Sequence, residues 1–250
     1  MTYEMKYGTV GVVKPTFRPG GLEEFIRLLP DGIGVIPLFV GVHRGTPDEF
    51  SSVWDTVEPL VQKLAELRVD LIHTEGAPPF MQLGLAGESE LVRRWERQYG
   101  IPVLTAPQTQ VQAMRALGMK RIVGLTYFIG PLNDVFSRYF VEAGFEVLAM
   151  AGMSSAFDRV GNIPSAAVIE HARRTFREHP SADGVYMLGS GWRVLDVIEP
   201  LERELGVPIV HAIPARAWAV QHRFHALEPR SGYGRLLAEL PPPRPEVATR

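Results

Sequence analysis

Short apolar, β-branched runs alternate along the chain with longer segments whose apolar residues recur every three or four positions. The short runs have the length and composition of buried strands, and the longer ones have the period of helices packed on one face. Candidate strands are residues 9–13, 34–39, 71–74, 103–104, 121–125, 146–149, 184–188 and 209–210. The clearest helix covers residues 47–67, where Phe50, Val53, Trp54, Val57, Leu60, Val61 and Leu64 share a face. Strands and helices taken in turn predict an α/β fold with parallel sheets.

The pattern is also doubled. Gly100-Ile101-Pro102-Val103-Leu104-Thr105-Ala106 returns as Gly206-Val207-Pro208-Ile209-Val210-His211-Ala212. Lys14 pairs with Thr126 and Glu75 with Gly189 at offsets of 112 and 114 residues, against 106 for Thr105 and His211, as expected of one duplicated unit with small insertions. The expected fold class is therefore α/β with two pseudo-symmetric lobes, each a small parallel sheet flanked by helices, and a ligand cleft between them. Residues 1–118 plus 214–250 form the first lobe and residues 119–213 the second. In such sheets the loops leaving the carboxyl ends of the strands carry the chemistry.

Composition narrows the partners. With 26 basic against 28 acidic residues and no basic run, no surface is built for nucleic acid or anionic membrane. No apolar run approaches the roughly 20 residues that span a bilayer, and the first six residues lack the apolar centre of a secretory signal. A cytoplasmic protein is expected, with a proline-rich tail frayed from Pro241 onward. The chain contains no cysteine, which excludes disulfides, thiolate nucleophiles and cysteine metal sites. No His-Glu-x-x-His spacing occurs, so no metal is expected.

Glu75 ends an apolar strand and enters the uncharged loop Gly76-Ala77-Pro78-Pro79-Phe80. Desolvation there raises a carboxyl pKa toward the range of a general acid or base. The plainer alternative is a loop carboxylate capping the next turn. Lys14 ends the first strand just before Pro15 and should neighbour Glu75. It is an electrostatic clamp, an amine nucleophile, the partner in a buried ion pair, or a strand-end lysine reaching solvent. Thr126, Tyr127, Gly189, Ser190 and Gly191 supply hydroxyls and backbone amides suited to carboxylate or enolate oxygens, or else ordinary turn chemistry before a helix starting near Trp192. Gly76, Ala77 and His211 complete the expected contacts. A serine-hydrolase elbow is missing, because Met187-Leu188-Gly189-Ser190-Gly191 is one residue short of it.

The stretch 181–184 through 195–202, then Leu205-Gly206-Val207-Pro208, with Ala116-Leu117-Gly118 and Gly232-Tyr233-Gly234-Arg235-Leu236, resembles the aspartate/glutamate racemase superfamily, in its arylmalonate decarboxylase and maleate isomerase branch. That resemblance implies two similar lobes with the substrate between them and, in the family, catalytic cysteines. Here the first-lobe cysteine position falls on Glu75 and the second on Gly189, beside Ser190. Phe128 takes the aligned place of a family tyrosine, with Tyr127 before it. The implied activity is decarboxylation or isomerisation of a small arylmalonate- or maleate-like acid through an enolate-like intermediate, without a cofactor, Glu75 standing in for the cysteine as acid/base. A hydrolase or hydratase using Glu75 to activate water, and a non-catalytic carboxylate-binding protein, are the alternatives. A small-molecule carboxylate is the expected partner, and self-association into a homo-oligomer stays open.

Overall fold

The structure is a computed structural model that describes residues 5–244. The first half runs β1 (Gly8–Lys14), α1 (Gly21–Leu28), β2 (Ile33–Phe39), α2 (Pro47–Ser51), α3 (Trp54–Glu66), β3 (Leu71–Thr74), α4 (Ala77–Gln82), α5 (Gly84–Tyr99), β4 (Val103–Thr105) and α6 (Ala106–Ala116). The second runs β5 (Arg121–Thr126), α7 (Pro131–Glu142), β6 (Glu146–Gly152), α8 (Ser165–Glu178), β7 (Gly184–Met187), α9 (Leu195–Leu205), β8 (Ile209–His211), α10 (Ala212–Arg223) and α11 (Arg235–Glu239). Two four-stranded sheets result, β2-β1-β3-β4 and β6-β5-β7-β8, with every pairing parallel. Both are flanked by helices, so the α/β class and the doubled architecture hold.

Each predicted strand is present, most of them a residue or so longer than expected. The helix expected over 47–67 is instead two, α2 and α3, separated at Ser52 and Val53. The Ser51 and Ser52 hydroxyls bond back to the carbonyls of Pro47 and Glu49. That local competition with the backbone ladder accounts for the break.

The repeated heptapeptide folds the same way twice. Gly100 and Gly206 end α5 and α9 in the left-handed region, where an L side chain would be strained. Glu96 and Glu202, one turn earlier, each accept a hydrogen bond from the first amide of the next strand, Val103 N–H at 3.0 Å and Ile209 N–H at 2.8 Å. Thr105 and His211 then cap α6 and α10. Asp70 and Asp183 likewise accept backbone amides at the starts of β1 and β5.

Register corrects one pairing. The Glu75 N–H donates to Val13 O, and the Leu188 N–H donates to Leu125 O. Glu75 therefore matches Leu188, while Gly76 (φ 90) matches Gly189 (φ 88), one residue away from the sequence expectation. Packing also modifies the tail. The Trp218 indole donates to Pro241 O at 2.9 Å and Leu240 is buried, so the tail's first residue is tied down; the expectation for residues 245–250 lies outside the described residues, as does that for residues 1–4.

Candidate active site

The carboxyl ends of both sheets face one pocket. Its polar floor comes from the first sheet and from α10. Lys14 leaves β1, and Glu75 leaves β3 beside it, with Lys14 Nζ 3.0 Å and 3.3 Å from the two Glu75 carboxylate oxygens. Both residues are buried, at 3% and 8% exposure. The ion pair left open by the sequence is thus formed, and Lys14 does not reach solvent.

A third charge completes the floor. Arg216, buried on α10, places Nη1 against Glu75 Oε1. Its guanidinium lies over the Phe25 ring at 3.8 Å, and Nη2 donates to Gly21 O at 3.4 Å. Nε has no partner among the described residues. Sequence reasoning missed Arg216. The available signal was an isolated charge in the otherwise apolar run Ile213-Pro214-Ala215-Arg216-Ala217-Trp218, since arginine is rarely fully buried without a partner.

Burial, reinforced by Arg216, lowers the Lys14 pKa to about 7, with Glu23 opposing. Burial lowers Arg216 to about 9, so it stays charged at neutral pH. His73, next to this group on β3, is buried and held well below its ordinary pKa by desolvation, hence neutral. Two basic groups thus face one carboxylate at the pocket floor. A third, Arg18, stands toward the mouth, donating to Phe157 O at 2.6 Å and lying over the Phe157 ring.

The second lobe contributes donors and an apolar wall. Ser190 Oγ donates to Glu75 Oε2 at 3.5 Å, across the lobes. Gly189, Ser190, Gly191 and Tyr127 line the pocket, with Gly76 and Ala77 opposite and Phe50, Phe128 and Phe157 around them. The Tyr127 hydroxyl packs against Gly189, where an added Cβ would collide with it. Burial raises the Tyr127 pKa, so the phenol stays protonated.

Two expected residues do not line the pocket. The Thr126 hydroxyl is engaged in its own turn with Phe128 and Asn133. The His211 ring contacts Gly189 O through Nε2 at 2.8 Å, and its Nδ1 accepts from Ile213 N–H, so it braces the 189–191 loop from behind. Burial lowers its pKa to about 4. The helix expected near Trp192 begins only at Leu195, so no helix terminus points at Ser190. Among the described residues no group of three His, Asp or Glu is placed to hold a metal, and no helix is long and apolar enough to cross a membrane.

Two parallel sheets whose strand ends share a charged, aromatic-walled pocket define a two-lobed α/β protein with an interlobe site. Residues 24–237 match the family model described as arylmalonate decarboxylase, and the chain belongs to that family. It is 26% identical to the arylmalonate decarboxylase of Bordetella bronchiseptica over 92% of this chain and 97% of that one. The maleate isomerase of Nocardia farcinica is also 26% identical, over 63% of this chain and 59% of that one. Among solved structures, the maleate isomerase Iso of Pseudomonas putida S16 superposes with a TM-score of 0.85 at 18% identity, covering 93% of this chain and 98% of that one. The chain is an enzyme of the lyase or isomerase type.

Proposed function

We propose that this chain is a cofactor-independent enzyme that decarboxylates or isomerises a small arylmalonate- or maleate-like acid through an enolate-like intermediate, Glu75 serving as acid/base in company with Lys14. The observation that carries this is the buried Lys14–Glu75–Arg216 cluster at the pocket floor. With a proton on Lys14 the cluster carries one excess positive charge, which an anionic substrate matches, because a buried net charge in an apolar wall is costly until matched. A substrate carboxylate that engages Arg216 or Lys14 draws the cation away from Glu75 and frees it to exchange a proton with the substrate carbon. Ser190, Gly189 and Gly76 line the pocket, where a hydroxyl and backbone amides suit the oxygens that gain charge when an enolate forms. The aromatic wall of Phe50, Tyr127, Phe128 and Phe157 suits an aryl substituent.

The test uses an arylmalonate and maleate in D2O, followed by NMR. Turnover with deuterium at the reacting carbon is expected, with Glu75→Gln reducing it at least about a hundredfold. Full turnover in Glu75→Gln would overturn the assignment. Solvent oxygen-18 in the product would instead favour the hydratase alternative.

A further inference from the structure

The geometry points to Lys14 as an imine-forming amine, giving the same pocket a second activity: decarboxylation of small 3-oxo acids. This rests on the proposed small-carboxylate site and adds covalent chemistry to it.

The argument begins with charge. Lys14, Glu75 and Arg216 are all buried, so the floor carries either a net positive charge or none, depending on a single proton. Arg216 cannot be the group that yields it, because a guanidinium holds its proton far more tightly than an ammonium. Glu75 is held against Arg216 Nη1 on one oxygen, which satisfies that cation whatever Lys14 does. The least costly neutral arrangement is therefore Glu75 and Arg216 as an ion pair with Lys14 as a free amine. Among the charged groups near Nζ, Arg216 and Arg18 disfavour the ammonium, while Glu23 and the Glu75 carboxylate favour it. The Lys14 pKa of about 7 agrees with the charge argument. A desolvated amine next to other cations is the environment in which lysine attacks carbonyl carbon.

Space and proton transfer are also provided. Lys14 lines the pocket together with Gly21 and Ser190, so the amine borders the cavity that would receive a carbonyl substrate. Glu75 lies 3.0 Å from Nζ, close enough to relay protons between nitrogen and the departing oxygen.

The steps balance as follows. Nζ bonds to the ketone carbon while the carbonyl π electrons move to oxygen. Glu75 takes the proton from nitrogen and passes it to that oxygen, and with one further proton from solvent water leaves, giving a protonated imine. Its positive charge offsets the substrate carboxylate, so the site stays neutral. The carbon–carboxylate bond then breaks, carbon dioxide departs and the electron pair moves into an enamine, discharging the nitrogen. Protonation at carbon and addition of water release the ketone and the free amine. One proton is consumed overall, and no oxidant or reductant is needed.

The experiment treats the intact protein with acetoacetate and sodium borohydride, then measures intact mass and maps peptides. The chain has only four lysines, Lys6, Lys14, Lys63 and Lys120, which makes the map unambiguous. A single reduced isopropyl group on Lys14 is expected, absent from Lys14→Arg, together with at least a hundredfold (~100-fold) slower acetoacetate decarboxylation in that variant. No adduct, or an adduct shared with the exposed Lys63, would overturn the proposal even if Lys14→Arg failed to fold. Glu75-dependent arylmalonate or maleate turnover without trapping would overturn the imine alone. Trapping without turnover of either acid would overturn the enolate reading and leave the imine standing.

Discussion

The two lobes share a scaffold position by position, and they differ where their strands end. Where the first lobe has Lys14 and Glu75, the second has Thr126 and Leu188. Where α6 carries Gln110 toward the pocket, α10 carries Arg216 five residues after its cap, as Gln110 follows Thr105. Gln110 accepts a neutral hydrogen bond from Tyr186 at 2.7 Å, whereas Arg216 meets a carboxylate. Charge is therefore concentrated on the first sheet and α10, and neutral donors on the second lobe. A symmetric scaffold does not require a symmetric site, because side chains at strand ends change without disturbing the ladders that position them.

Arg216→Ala and Gln110→Ala form the sharpest test of this contrast. The first leaves Glu75 with a single cation and breaks a buried ion pair, so unfolding in urea should show a loss of about 3–5 kcal/mol. The second removes one neutral hydrogen bond and should cost only about 1–2 kcal/mol. Equal losses would mean that the charge on α10 has no special structural weight.

Next in size is a pH effect at the junction of the lobes. Glu88 on α5 accepts hydrogen bonds from Thr105 and from Tyr139 on α7, and burial raises its pKa to about 7 from 4.5. Between those two values the folded state holds a proton that the unfolded state has lost. This contribution is therefore full below about 4.5 and disappears as pH rises through 7. Thermal scans across that window should show a decline with rising pH, worth on the order of 1–3 kcal/mol, that Glu88→Gln flattens. An unchanged slope in the variant would assign the dependence elsewhere.

Gly76→Ala and Gly189→Ala compare equivalent turns. Both residues have φ near +90, so each substitution should cost about 1–2 kcal/mol. Gly189 adds a collision with the Tyr127 hydroxyl, whereas at Gly76 the added carbon meets Pro15 at 3.2 Å. Calorimetry should therefore rank Gly189→Ala as the more damaging. The smallest contrast is Glu96→Gln against Glu202→Gln. Glu96 is exposed and should lose a few tenths of a kcal/mol, about 0.5 at most. Glu202 is buried and also accepts from Arg235 N–H, so about 1–2 kcal/mol is expected.

Much of this was legible in the chain because it depends on local pattern. Strands are apolar runs between glycines and prolines, and the doubled heptapeptide marks a helix stop, a strand and a cap in seven residues. Lys14 and Glu75 could be placed together because adjacent parallel strands end side by side. Arg216 could not be placed that way, since its meeting with Glu75 depends on how α10 packs against α1 and α6. Thr126 and His211 show the converse difficulty. Their residue types suit a binding site, but a hydroxyl beside Asn133 and a ring beside the Gly189 carbonyl find nearer partners, and sequence spacing does not say which partner prevails.

The carboxylate seams formed by Glu96, Glu202, Asp70 and Asp183 all lie at the edge of the sheets opposite the pocket. Holding the framework from that far edge leaves the reactive edge free to be re-equipped over generations. The side chains at positions 75 and 189 can be exchanged while the seams keep each half in register, so the same architecture serves as a chassis for different chemistries.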